Sequence, residues 1–139
     1  MAESAAGGLI NAALVAVPGA SAYYLGGAVI YTGASRSGFL DIGEEEMRGL
    51  RSATEPMARL LARRVREKTG ATWGLAETGA AGPTGNRYGD PAGHACMAVD
   101  GPVTASITVA TGSAEREANM RLFAARALEL LASSLRRPG

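Results

Sequence analysis

Hydrophobic positions recur at helical spacing in several parts of the chain, each bounded by residues that start or stop helices. Leu9 to Val17 repeats apolar residues one turn apart and ends at Pro18-Gly19, which predicts a first helix. Thr54-Glu-Pro56 is a helix start, because Thr caps free N–H groups and Pro is tolerated in the first turn. The other helices are predicted after Ser35, at Glu44-Glu-Glu46, from Thr54 to Gly70 and over Ala114–Leu135.

Segments rich in β-forming residues alternate with these helices. The predicted strands are Tyr23–Tyr31, Thr72–Glu77, Gly93–Val99 and Val103–Ala110. Asp100-Gly101 joins the last two and is a hairpin signal. Strands that alternate with helices, together with one hairpin, predict an α/β sandwich with a mixed sheet.

Composition narrows the class of protein. The chain has 139 residues and 14.2 kDa, 47% of them hydrophobic, so it is long enough for a single domain with a real core. A formal charge of +1 argues against a nucleic-acid partner. No apolar run reaches the roughly 18 residues of a membrane helix, and no basic segment precedes an apolar one as in a signal peptide. The single Cys96 suits a reducing compartment, so we expect a cytoplasmic protein.

A glycine- and proline-rich segment from Thr78 to Gly93 follows the third predicted strand. Such a sequence cannot form a helix interior, because each Gly costs about 1 kcal/mol there and Pro about 3 kcal/mol. It can wrap closely around a ligand, since glycine backbone N–H groups can approach an anion. A long surface connection that merely tolerates glycine is the alternative.

The residue types leave few candidates for chemistry. Ser4 lies beside Gly7-Gly8 at a helix entry, where free N–H groups could stabilise an anion or a tetrahedral intermediate; a plain helix cap is the alternative. Arg116, in the first turn of the last helix, suits a phosphate, and Arg36 could point into the same cleft. His94 is the only histidine, so we expect a structural or loop-contacting role and no metal site.

Several motifs, in order, resemble the CinA C-terminal domain family. They are Ala2-Glu-Ser-Ala-Ala-Gly-Gly-Leu9, Val17-Pro-Gly-Ala-Ser21, Gly27-Ala-Val-Ile-Tyr-Thr32, Glu77-Thr-Gly-Ala-Ala-Gly-Pro83 and the helix entry Glu115-Arg116. The resemblance covers nearly the whole chain and assigns residues 1–139 to one domain. It implies a three-layer α/β/α sandwich with a mixed sheet and a homo-oligomer without metal or cofactor.

The resemblance also implies an activity and a site. Members of the family hydrolyse the amide of nicotinamide mononucleotide to nicotinate mononucleotide and ammonia, with a serine activated by a lysine. Ser4 would be the nucleophile, and the small-molecule nucleotide would be the partner. The other implied site residues are Tyr31 as a catalytic residue and Gly7, Gly8, Thr78, Gly79, Gly82 and Arg116 as substrate-binding residues.

Three departures from the family pattern leave two functions open. The family lysine falls at Arg36, and a guanidinium cannot act as a neutral base. Ala5-Ala6 replaces a Cys-Thr pair. The chain begins almost on the first motif, so we expect the family's N-terminal helix and strand to be lacking and Ser4 to lie on a frayed terminus unless a neighbouring subunit supports it. The alternative to an amidohydrolase is therefore a non-catalytic nucleotide-binding or regulatory module; a structural oligomerisation domain is a third possibility.

Overall fold

A five-stranded mixed sheet lies between two layers of helices in the computed structural model, which describes residues 1–137. Pro138 and Gly139 of the predicted domain lie outside the described residues. The strands are β1 (Ala2–Glu3), β2 (Ala28–Val29), β3 (Gly74–Ala80), β4 (His94–Asp100) and β5 (Ala105–Ala110). The helices are α1 (Leu9–Val15), α2 (Gly33–Leu40), α3 (Glu44–Met47), α4 (Glu55–Thr69) and α5 (Arg116–Leu135), with a 3₁₀ turn at Ala20–Ala22.

The order of strands across the sheet is β2-β1-β3-β4-β5. β1 runs parallel to both β2 and β3, whereas β3, β4 and β5 pair antiparallel. The mixed sheet predicted from the sequence is therefore confirmed. The expectation that the first residues are frayed is wrong: Ala2 pairs with Ala28 on one side and Ala76 on the other, and it is fully buried.

Each face of the sheet carries its own core, because successive strand residues point to opposite faces. Met97 and Val99 of β4 face α1 and α5, where Ile10 and Phe123 are fully buried. The alternate residues of β4 pack with α2 and α4 instead. This arrangement confirms the three-layer α/β/α sandwich.

One strand prediction differs from the structure near the first helix. The segment predicted as a strand over Tyr23–Tyr31 forms strand only at Ala28–Val29. The Tyr23 and Tyr24 hydroxyls instead donate to the Leu14 carbonyl and the Asn11 side chain, which ties this segment to α1. Gly27 passes so close to Asn11 that a Cβ there would lie 2.0 Å from Asn11 Oδ1.

Boundaries shift at other elements for local reasons. α2 begins at Gly33, ahead of the start predicted after Ser35, because Thr32 caps it and forms a reciprocal capping box with Ser35. β3 runs on to Ala80, three residues beyond the predicted end. No helix among residues 1–137 is long and apolar enough to cross a membrane.

Candidate functional site

A polar cavity of about 310 Å³ lies where three parallel strands end. Ser4 directly follows β1, Tyr31 follows β2, and Gly79 stands near the end of β3. Carboxyl ends of parallel strands meet at one edge of a sheet, where α/β proteins place their ligands. The cavity brings together Ser4, Tyr31, Thr78, Gly79, Gly82 and Arg116 of the predicted site residues.

Gly7, Gly8 and Arg36 of the predicted site do not line this cavity. Gly7 packs against α5, since a Cβ there would lie 2.8 Å from Met120 Cε. Gly8 precedes α1, and its N–H donates to a buried carboxylate, Glu3 Oε1, at 2.8 Å. Arg36 lies inside α2, where its guanidinium sits near the backbone of Gly33 at the start of the same helix.

The Ser4 turn, defined as residues 4–8 between β1 and α1, rests on two fully buried glutamates, Glu3 and Glu77. Glu3 accepts hydrogen bonds from the backbone N–H groups of Ile10 (3.2 Å) and Asn11 (2.7 Å), in addition to that of Gly8. The first N–H groups of α1 are therefore occupied. The expectation that they face an anion in the cavity is wrong.

Glu77 lies beneath the other end of the Ser4 turn. Its Oε1 accepts from the backbone N–H groups of Ser4 at 3.0 Å and Ala6 at 2.9 Å. Burial raises the pKa of Glu77 to about 7, against the lowering effect of the N–H groups and with a smaller rise from nearby Glu3. Sequence reasoning missed both glutamates, although a Glu directly after the apolar strand residues Gly74-Leu-Ala76 is a signal of a buried carboxylate.

Arg116 spans one side of the cavity from the start of α5. Its guanidinium donates to Tyr31 Oη at 2.9 Å and to the Gly82 carbonyl. Tyr31 is 58% exposed, so its hydroxyl is accessible from solvent. A guanidinium beside the free N–H groups of a helix start is a suitable anion site.

The glycine-rich segment also lines the cavity and contacts Arg116 through the Gly82 carbonyl. The N–H groups of Gly82, Thr84 and Gly85 donate to no acceptor within residues 1–137, although all three residues line the cavity. Thr78 is buried, and its Oγ1 accepts from the Ala53 N–H at 3.0 Å. The segment therefore lines the cavity with N–H groups that have no protein acceptor, and the binding of an anion by them stays a prediction.

Two sets of contacts hold the glycine-rich segment in place. One is made by Asn119 of α5, and the other is the ion pair between Arg51 and Asp90. Asn119 is buried, and its Nδ2 donates to the carbonyls of Ala81 and Ser113, both at 2.8 Å. Arg51 binds Asp90 at 2.7 Å, and this guanidinium lowers the pKa of Asp90 to about 2. These contacts fix both ends of the segment.

His94 contacts a loop, as predicted, and does not line the cavity. Its Nε2 lies 2.7 Å from the Ala53 carbonyl, and Cys96 packs below it. Tyr31 and Arg116 are the titratable side chains among the lining residues within 1–137, and no carboxylate, histidine or lysine lines the cavity there.

Comparisons with known proteins agree with this geometry. Residues 1–135 match the family model described as the CinA C-terminal domain. A CinA-like protein of Anaeromyxobacter sp. (strain K) is 37% identical over 134 residues, covering 96% of this chain and 33% of its own length. A CinA-like protein of Gloeobacter violaceus is 36% identical, covering 94% of this chain and 31% of its own length. The chain thus spans about a third of the length of these curated relatives.

Solved structures share the fold. A competence-damaged protein (CinA) superfamily protein from Escherichia coli superposes with a TM-score of 0.86 at 26% identity, covering 94% of this chain and 76% of that one. The competence damage-inducible protein A (ComA) from Klebsiella pneumoniae gives 0.88 at 26% identity, covering 96% and 83% respectively.

Proposed function

The chain belongs to the CinA C-terminal domain family, and we propose that it is an amidohydrolase that converts nicotinamide mononucleotide to nicotinate mononucleotide and ammonia. The observation that carries the proposal is the shared cavity of Ser4, Arg116 and the glycine-rich wall. A hydroxyl, a guanidinium and unoccupied backbone N–H groups are the groups that an amide-bearing nucleotide requires. A cytoplasmic setting and a homo-oligomeric assembly are parts of the same proposal.

The proposed roles follow from the positions around the cavity. Ser4 Oγ attacks the amide carbon, ammonia leaves with the proton it gains, and water hydrolyses the resulting ester to the acid. Arg116, at the start of α5, binds the phosphate. The N–H groups of Gly82, Thr84 and Gly85 stabilise the negative charge that develops on the amide oxygen. Tyr31 orients Arg116 through their hydrogen bond.

The proton of Ser4 has no side-chain base to accept it among the lining residues. The lining residues supply no neutral base, and Arg36, at the family's lysine position, lies outside the cavity lining. A serine without an activating base is a poor nucleophile at neutral pH. We therefore propose slow turnover in which water carries the proton.

This same observation favours a second candidate, a non-catalytic nucleotide-binding or regulatory module. Binding requires only Arg116 and the glycine-rich wall, neither of which depends on a base. A structural domain without a ligand, in contrast, predicts no rise in melting temperature with any pyridine nucleotide, since a ligand that binds the native state must stabilise it.

The test measures ammonia and nicotinate mononucleotide released from nicotinamide mononucleotide by the wild type, Ser4→Ala and Ser37→Ala. Ser37 is exposed on α2 and does not line the cavity, so it is the matched control. Turnover that Ser4→Ala abolishes and Ser37→Ala retains supports the amidohydrolase. No turnover from folded protein, together with a raised melting temperature in the nucleotide, supports the binding module.

A further inference from the structure

The two glutamates beneath the Ser4 turn differ in how their oxygens are used. Glu3 accepts hydrogen bonds on both oxygens, with Gly8 and Ile10 on Oε1 and Asn11 on Oε2. Glu77 accepts on Oε1 alone, and its Oε2 is buried without a hydrogen-bond partner among residues 1–137. Glu3 is thus a fully satisfied cap of α1, whereas Glu77 is only half satisfied.

Fold stability is a poor explanation for Glu77. Burying a carboxylate is costly unless its lone pairs are fully hydrogen-bonded, and an unsatisfied buried polar atom costs about 1–3 kcal/mol. Its registered neighbour on β4 is Met97, so the surroundings there are apolar. What Glu77 does contact is the backbone of Ser4 itself, at 3.0 Å.

Building on the proposed function, we propose that Glu77 is a positioning residue whose ionised carboxylate fixes the backbone of Ser4 and Ala6 and so holds Ser4 in the cavity wall. Glu77 does not line the cavity and touches no substrate in this scheme. It acts through the Ser4 turn, which contains Gly7 and Gly8 at positive φ and has no regular helix of its own.

The ionised form is the holding form because charged acceptors make stronger hydrogen bonds than neutral ones. The groups that act on Glu77 are the N–H groups of the Ser4 turn and the carboxylate of Glu3 on β1, while β4 presents Met97. Burial raises the pKa of Glu77 to about 7. The turn would accordingly be held firmly above neutral pH and more weakly below it.

The first experiment follows the backbone amides of wild-type protein by ¹⁵N NMR from pH 5 to pH 9. Ser4 and Ala6 amide proton shifts are expected to titrate together, with one midpoint near pH 7, and to move downfield as Glu77 ionises. In Glu77→Gln the step is expected to disappear, and in Glu129→Gln, an exposed matched control on α5, it is expected to remain. Absence of the step in the wild type, or its persistence in Glu77→Gln, would overturn the proposal.

The second experiment measures kcat and KM for nicotinamide mononucleotide across the same pH range. Wild-type kcat is expected to rise about tenfold between pH 6 and pH 8, with KM little changed. Glu77→Gln keeps an acceptor for both N–H groups, so its kcat is expected to be independent of pH in this range. Glu77→Leu removes the acceptor and is expected to lower kcat more than tenfold at every pH.

The two experiments separate the proposals. A wild type without turnover at any pH overturns the amidohydrolase, yet the NMR titration still decides whether Glu77 holds Ser4. If the wild type turns over and the fall of its kcat at acidic pH is unchanged in Glu77→Gln, the positioning role is overturned and the amidohydrolase proposal stands.

Discussion

The substitution Glu77→Gln should make the protein more stable at alkaline pH and leave it nearly unchanged at acidic pH. Glu77 has an ordinary pKa of 4.5 and a native pKa of about 7. The native state therefore binds more protons than the unfolded state between these values. Unfolding free energy falls as pH rises through that window, because the native state must give up a proton that the unfolded state has already lost.

The magnitude follows from the same two values. A pKa difference of one pH unit is worth about 1.4 kcal/mol, so the difference for Glu77 corresponds to roughly 3 kcal/mol once the carboxylate is ionised in both states. About 2–3 kcal/mol of this should develop between pH 5 and pH 8. Such a change is a large part of the 5–15 kcal/mol typical of a domain.

Urea unfolding at pH 5 and pH 8 measures the effect in wild type, Glu77→Gln and the exposed control Glu129→Gln. At each pH, the free energy of unfolding of the wild type is subtracted from that of the variant. The informative quantity is the change in this difference between pH 5 and pH 8, because contributions common to both proteins cancel. A value near zero for Glu77→Gln, equal to that of Glu129→Gln, would show that Glu77 is not held in a medium that disfavours its charge.

Three further outcomes are expected. Arg116→Gln should raise KM, or the dissociation constant of the nucleotide, about tenfold or more, because a charge-assisted hydrogen bond is worth roughly 1.5–3 kcal/mol. Isothermal titration calorimetry compares this variant with Arg121→Gln, a control exposed on the same helix. Equal affinities of the two variants would exclude Arg116 from the phosphate site. Arg36→Lys should increase ammonia release if the chain is a degenerate enzyme, since a lysine can act as a neutral base. Arg48→Lys is the control. An unchanged rate of ammonia release in Arg36→Lys would show that the residue at position 36 does not limit activity. Asn119→Ala should lower the free energy of unfolding by about 2–4 kcal/mol, because the Ala81 and Ser113 carbonyls lose their donor. Calorimetry measures this loss, with Ser133→Ala as the control. A loss below about 0.5 kcal/mol would contradict the role given to Asn119.

Local sequence signals predicted most of the fold because they depend on residues close together in the chain. The Thr54 cap lies where the sequence placed it, and the Asp100-Gly101 signal correctly marks the β4–β5 hairpin, although Asp100 itself ends β4 and the connection runs over residues 101–104. The segment after Tyr23 was predicted wrongly, because its strand propensity competes with tyrosine hydroxyl bonds to α1 that no local pattern encodes.

The site was only partly predictable. Ser4, Tyr31 and Arg116 come together because the ends of two parallel strands and the start of α5 meet at one sheet edge, as the family resemblance implied. Glu3 accepts hydrogen bonds from the first N–H groups of α1, which are close to it in sequence. These bonds still depend on the conformation of the Ser4 turn, which the sequence does not reveal. The link between Ser4 and Glu77 joins residues 73 positions apart, and only the sheet register determines it.

The shortness of β1 has a consequence for how the molecule assembles. Ala2 of this two-residue strand pairs with Ala76 of β3 only after the intervening residues have been brought into place, and such distant contacts are entropically expensive and form slowly. The Ser4 turn gains its Glu77 acceptor in that same step. Amide hydrogens of Ser4 and Ala6 should therefore exchange with solvent deuterium only when the whole domain opens, so that the Ser4 turn and the native fold are gained and lost together.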